Sequence, residues 1–132
     1  MATTGRLLLL SMLIGLCSCA TLANVKQAKN NNEGTSKIYN VDYEKAWKIS
    51  EEILHEAGCD AIEENKNEGY MLTSFPQQMG GGGVAGVWLD RIDGNTTKVT
   101  VVTERRTAIN PLTPLREIEF HKEFQEKLDK PL

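Results

Sequence analysis

The chain has 132 residues, 40% of them hydrophobic and 25% charged, the proportions of one small globular domain with no room for a second. Lys and Arg number 15 against 18 Asp and Glu, leaving a formal charge of -3. That balance argues against binding nucleic acid through the whole surface, because neutralising phosphates needs clustered cations.

The N-terminus, MATTGRLLLLSMLIGLCSCATLA, places Arg6 ahead of an apolar run from Leu7 to Leu16 that ends in small residues. This is the anatomy of a signal peptide over residues 1–18. Leu16-Cys17-Ser18-Cys19 resembles a bacterial lipobox, with an aliphatic residue three before a cysteine and a small residue just before it. The resemblance implies that Cys19 becomes the first mature residue, with a diacylglyceryl group on its thiol and a further acyl chain on its amine. At roughly 0.8 kcal/mol per buried methylene, more than one chain gives lasting attachment where a single chain does not. Ala20 is not the aspartate that retains enteric lipoproteins in the inner membrane, so the outer membrane is favoured. Two other readings stay open: an uncleaved membrane helix from Leu7 to Ala23, and simple cleavage to a soluble secreted protein. All three put the domain outside the cytoplasm. In the lipidated case Cys59 is the one cysteine left, which excludes an internal disulfide and makes Cys59 a buried small hydrophobe in preference to a reactive thiol.

Residues 19–34 then read as the lipidated cysteine and a flexible tether, because Asn24 to Ser36 is polar, rich in Asn and Lys, and lacks apolar periodicity. Fully extended, such a tether reaches up to ~50 Å. The folded domain is expected over residues 35–132. Lys37 to Val41 reads as a first strand. Asp42 then caps a helix whose Tyr43, Ala46, Trp47, Ser50, Ile53, Leu54 and Ala57 share one stripe, and Gly58 stops it. Short strands follow at Cys59 to Glu64 and Tyr70 to Phe75, joined by a hairpin connection.

Two longer strands flank Asp93-Gly94-Asn95, and their register can be argued from charge. A two-residue turn at Gly94-Asn95 would set Arg91 opposite Lys98, a like-charge pair. A three-residue loop instead pairs Asp90 with Lys98, Leu89 with Val99 and Val87 with Val101, and is preferred. A final helix opens at Thr113-Pro114 and carries Phe120, Phe124 and Leu128 on its apolar stripe. The order β-α-β-β-β-β-α predicts an α+β fold, an antiparallel sheet with two amphipathic helices packed on one face.

Gly81-Gly82-Gly83-Val84-Ala85-Gly86 matches the dinucleotide pattern G-x-G-x-x-G letter for letter. That motif needs a helix after the glycines to receive the pyrophosphate, and here an alternating strand follows; no Lys-Ser or Lys-Thr follows either, so a P-loop fails too. No nucleotide is expected. The run Gly80, Gly81, Gly82 and Gly83 is either a plain connection or a partner-binding flap, and Gly86 marks a bulge or a close backbone approach. Arg105, Arg106 and Arg116 bracket a loop with two prolines and form a candidate contact site for an acidic protein surface or anionic headgroup.

Catalytic constellations are thin. Glu52-Ile53-Leu54-His55 is half of a di-iron motif without its second copy, and His55 falls on the polar side of its helix. His121 shares the stripe of Phe120 and Phe124, which suits a packed histidine with one hydrogen-bonded nitrogen. No catalytic residues, metal ligands or cofactors are therefore assigned. Together the lipid site, the polar tether, VDYEKAWKISEEILHEAGCDAIEENKNEGYMLTS, KVTVVTERR and the closing helix resemble small uncharacterised envelope lipoproteins of Gram-negative bacteria. More distantly the arrangement is similar to the helix-grip domains of the outer-membrane assembly lipoprotein BamC. The resemblance implies a lipid-anchored, periplasm-facing adaptor that binds another envelope protein without catalysis. A small-ligand or lipid binder with a cleft between sheet and helix is the alternative.

Overall fold

The computed structural model describes residues 22–59, 61–75, 83–105 and 113–130. In chain order these form α1 (Leu22–Asn30), β1 (Thr35–Tyr39), α2 (Tyr43–Glu56), β2 (Ile62–Asn65), β3 (Tyr70–Phe75), β4 (Gly83–Asp93), β5 (Thr96–Arg105) and α3 (Thr113–Asp129). The five strands make one antiparallel sheet in the order β1-β5-β4-β3-β2, so the first strand closes onto the last. The fold is α+β as expected, with one helix more than the sequence reading gave it.

α2 forms for the reasons its sequence states. The Asp42 side chain accepts the Lys45 N–H at 2.9 Å, capping an orphan donor of the first turn. At the other end Gly58 takes a φ of +86°, which only glycine adopts without strain. The Gly58 and Cys59 N–H groups then bond back to His55 and Leu54, each at 3.0 Å, satisfying two terminal carbonyls. This closure uses the Cys59 amide, so β2 starts at Ile62 and not at Cys59. Tyr43, Ala46, Trp47, Ser50, Ile53 and Leu54 are buried, with Phe120 and Phe124 of α3, against Met71, Val87, Leu89, Val99 and Val101 of the sheet. Cys59 is fully buried in the same cluster.

The other side of the sheet is where the expectation fails. Residues 22–30 are not part of a tether but the helix α1, which lies across the face opposite α2 and α3. Val25 and Ala28 are buried there with Leu72, Val84 and Val102, and Leu22, Tyr70 and Trp88 pack around them. Gly86 permits this approach: a Cβ at that position would stand 2.8 Å from Cγ1 of Val25 and closer still to the ring carbons of Trp88. What crowds Gly86 is therefore side chain and not backbone: first the Trp88 ring of the same strand, then Val25 of α1. Beginning the tether at Asn24 hid the stripe by cutting Leu22 away from Val25 and Ala28.

The preferred register of β4 and β5 is also found, but not through the expected loop. Asp90 faces Lys98, Leu89 faces Val99 and Val87 faces Val101, while Asp93 pairs with Thr96 across a two-residue turn at Gly94-Asn95. A bulge between Arg91 and Asp93 absorbs the extra residue. Neither turn residue takes a positive φ, so the turn is not one of the primed types whose twist suits a two-residue hairpin, and the bulge at Ile92 accommodates the difference. β1 likewise sits two residues earlier than expected, at Thr35–Tyr39.

Candidate functional site

α2, α3 and the sheet enclose an open cleft of about 730 Å³. Ala85 and Val101 floor it from β4 and β5, Ile53, Leu54 and Ala57 wall it from α2, and Phe120 walls it from α3. Ala57 and Ala85 are the small side chains of its lining, and the floor itself is well covered, with Ala85 1% and Val101 2% exposed. Glu56, Glu119, Glu123, Glu126, Lys127 and Lys130 form the rim.

The rim is held in shape by charge. Lys127 of α3 donates to Glu52 and Glu56 of α2 at 2.9 Å each, tying the two helices across the mouth. Those hydrogen bonds raise the Lys127 ammonium above its ordinary value and lower the Glu52 carboxyl. Glu123 is pushed up, first by burial and then by Glu56, with Lys127 opposing. The result is an apolar floor beneath a mostly acidic mouth, which suits an apolar occupant carrying hydrogen-bond donors or positive charge near its exposed end.

Beside the cleft, α3 is joined to β1 and β5 by two polar links, the first centred on a buried histidine and the second half-buried. The imidazole Nε2 of His121 lies 2.8 Å from the Thr35 carbonyl oxygen, so Nε2 carries the proton and donates. Nδ1 is then the acceptor, and the Tyr39 hydroxyl donates to it at 2.6 Å. Burial lowers the His121 pKa from its ordinary value and pushes that of Tyr39 up to about 12, so both are neutral near pH 7. The packed histidine is as expected, except that both of its nitrogens are bonded. Glu117 makes the second link, accepting from Thr35 Oγ1 at 2.7 Å and from the Thr103 N–H at 3.0 Å. Sequence reasoning missed Glu117, because its exposed neighbours Ile118 and Glu119 obscure which face of α3 it serves.

Of the candidate residues, Cys19, Gly80, Gly81, Gly82 and Arg106 lie outside the described residues, as do the side chains of Arg105 and Arg116. Gly83 opens β4, paired with Phe75 on one side and Arg105 on the other. The backbone therefore brings the flank of the glycine run and the flank of the arginine segment together at one end of the sheet. Ala85 and Thr103, the next pair along on the helix-covered face, line the cleft. Gly83 to Gly86 lie inside β4 and lead into a hairpin, so the glycine pattern has none of the strand-turn-helix setting of a dinucleotide site. His55 is exposed on α2, apart from His121. Among the described residues no group of three His, Cys, Asp or Glu is placed to hold a metal ion, and no helix is long and apolar enough to cross a membrane. The chain matches no protein-family model and no curated protein sequence.

Proposed function

We propose that this protein is a lipid-anchored, periplasm-facing binding lipoprotein of the bacterial outer membrane, acting as a non-catalytic adaptor for another envelope protein. The observation that carries the reading is the open, apolar-floored cleft next to the Gly83–Arg105 end of the sheet. A helix or loop of the partner would insert an apolar side chain over Ala85 and Val101. Its polar or cationic neighbours would meet the glutamates of the rim. The glycine run and the arginines would add contacts from the adjoining end.

A second reading takes the same cleft as the site of a small apolar molecule or lipid, and the volume of about 730 Å³ favours it, since ligand pockets commonly span about 300–1,000 Å³. One experiment separates the two. A photo-crosslinking amino acid replaces Ala57, at the half-buried wall of the cleft, and the full-length protein is irradiated in its native membrane. A discrete trapped protein supports the adaptor. A small molecule that co-purifies with the unmodified protein and is absent from an Ala85→Phe variant supports the second reading. With neither, the cleft is not the binding site.

A further inference from the structure

The helix α1 begins at Leu22, three residues after Cys19. At no more than about 3.6 Å per residue, the Cα of Leu22 lies within ~11 Å of the Cα of Cys19 in any conformation. A lipid on Cys19 would therefore keep the start of α1 close to the membrane surface. Leu22, Tyr70 and Trp88, all partly exposed, pack against the same buried cluster on the sheet face opposite the cleft. Lys26 stands over the Tyr70 ring at 4.8 Å from its centroid, with its ammonium 3.4 Å from the hydroxyl.

The charge of α1 points the same way, while Glu63 and Glu104 share the sheet face beyond it. α1 carries Lys26 and Lys29 and no acidic residue, whereas α2 carries four glutamates against two lysines. Tyr and Trp rings with nearby lysines are the side chains that settle at the headgroup level of a bilayer, the rings among glycerol and upper acyl groups and the ammonium groups on phosphates.

From this placement we infer that Leu22, Lys26, Tyr70 and Trp88 form a membrane-contacting surface, seated on the phospholipid headgroups of the leaflet that holds the anchor. The inference rests on lipidation of Cys19. It fixes an orientation: α1 faces the bilayer, and the cleft under α2 and α3 faces away, into the periplasm.

Trp88 reports on this directly. The chain has two tryptophans, and Trp47 is 3% exposed in the opposite core. The mature protein is purified from membranes, and the mass of its N-terminal peptide shows whether Cys19 is lipidated. It is then reconstituted into vesicles of phosphatidylethanolamine and phosphatidylglycerol brominated in the upper acyl chain, where bromine quenches only nearby indoles. For an indole at headgroup level the expected result is a loss of the Trp88 emission, with no loss in Trp88→Phe. If Trp88→Phe does not fold, Trp47→Phe serves, leaving Trp88 as the sole emitter. A lipidated protein whose Trp88 is unquenched overturns the contact surface and leaves the anchor standing; an unlipidated Cys19 overturns both.

Discussion

Gly86→Ala tests how closely Trp88 and α1 pack over the sheet, because two opposed effects set its sign. Gly86 has an ordinary negative φ, so an alanine there loses less entropy on folding and gains about 0.4–1 kcal/mol where there is room for the methyl group. Here there is none: the added Cβ would be 2.8 Å from Cγ1 of Val25 and nearer still to Cζ3 and Cη2 of Trp88. Overpacking of this kind costs about 1–3 kcal/mol, which exceeds the entropic gain. The net expectation is a loss of roughly 1–2 kcal/mol, seen as a melting point lower by roughly 5–15 °C. Gly94→Ala is the control, since a Cβ there meets nothing within 4 Å. Urea unfolding of both variants gives the free energies, and hydrogen exchange of the α1 amides shows where the strain goes. The reasoning is refuted if Gly86→Ala is as stable as the parent and the amides of Val25 and Ala28 keep their protection.

Three further outcomes are expected. Because His121 titrates below its ordinary value when folded, the unfolded chain takes up a proton first as pH falls below about 6.5. Stability is therefore full above that pH and declines beneath it, at a slope of up to ~1.4 kcal/mol per pH unit. Glu64, Glu104 and Glu123, raised by burial, act in the opposite direction. The informative quantity is thus the difference between parent and His121→Gln in urea titrations at pH 7.5 and 5.5, and no difference in slope would contradict the assignment. Ser50 is 0% exposed and, among the described residues, its Oγ has no hydrogen-bond partner, so Ser50→Ala should stabilise the fold by about 1 kcal/mol in the same assay. Glu117→Gln keeps the size but weakens the bonds to Thr35 and Thr103; about 1 kcal/mol of destabilisation is expected, and an unchanged midpoint would remove Glu117 from the links that hold α3.

What the sequence made legible was local or was decided by alternation. Asp42 and Gly58 bound α2 because capping chemistry acts within one turn, and Tyr70 to Phe75 was read to the residue. The β4–β5 register followed from charge pairing even though the turn itself was misjudged: side-chain complementarity selects the register, and the bulge at Ile92 adapts to it. α1 was missed because a stripe of Leu22, Val25 and Ala28 is too short to carry much periodic signal, and Leu22 falls in a stretch that also belongs to the signal pattern. A second sign was present. Val84 to Leu89 is a run of apolar residues and glycine with no polar alternation, as expected for a strand buried on both faces. The cleft was not legible, because whether Ala57 and Ala85 leave a void depends on how α2 and α3 sit over the sheet.

The strand order has a consequence for how this chain acquires its shape. β2 to β5 form a continuous meander of neighbours, each pairing with the next, and can assemble locally. β1 cannot: its partner is β5, and Ser36 meets Thr100 across 64 positions of chain. α1 waits for the same event, since Val102 of β5 is part of its seat. The N-terminal segment thus depends on contacts of long range, which are slow to form. On the proposed export and lipidation of this chain, α1 would stay unseated until β5 had crossed the membrane, and its seating would mark the completed domain.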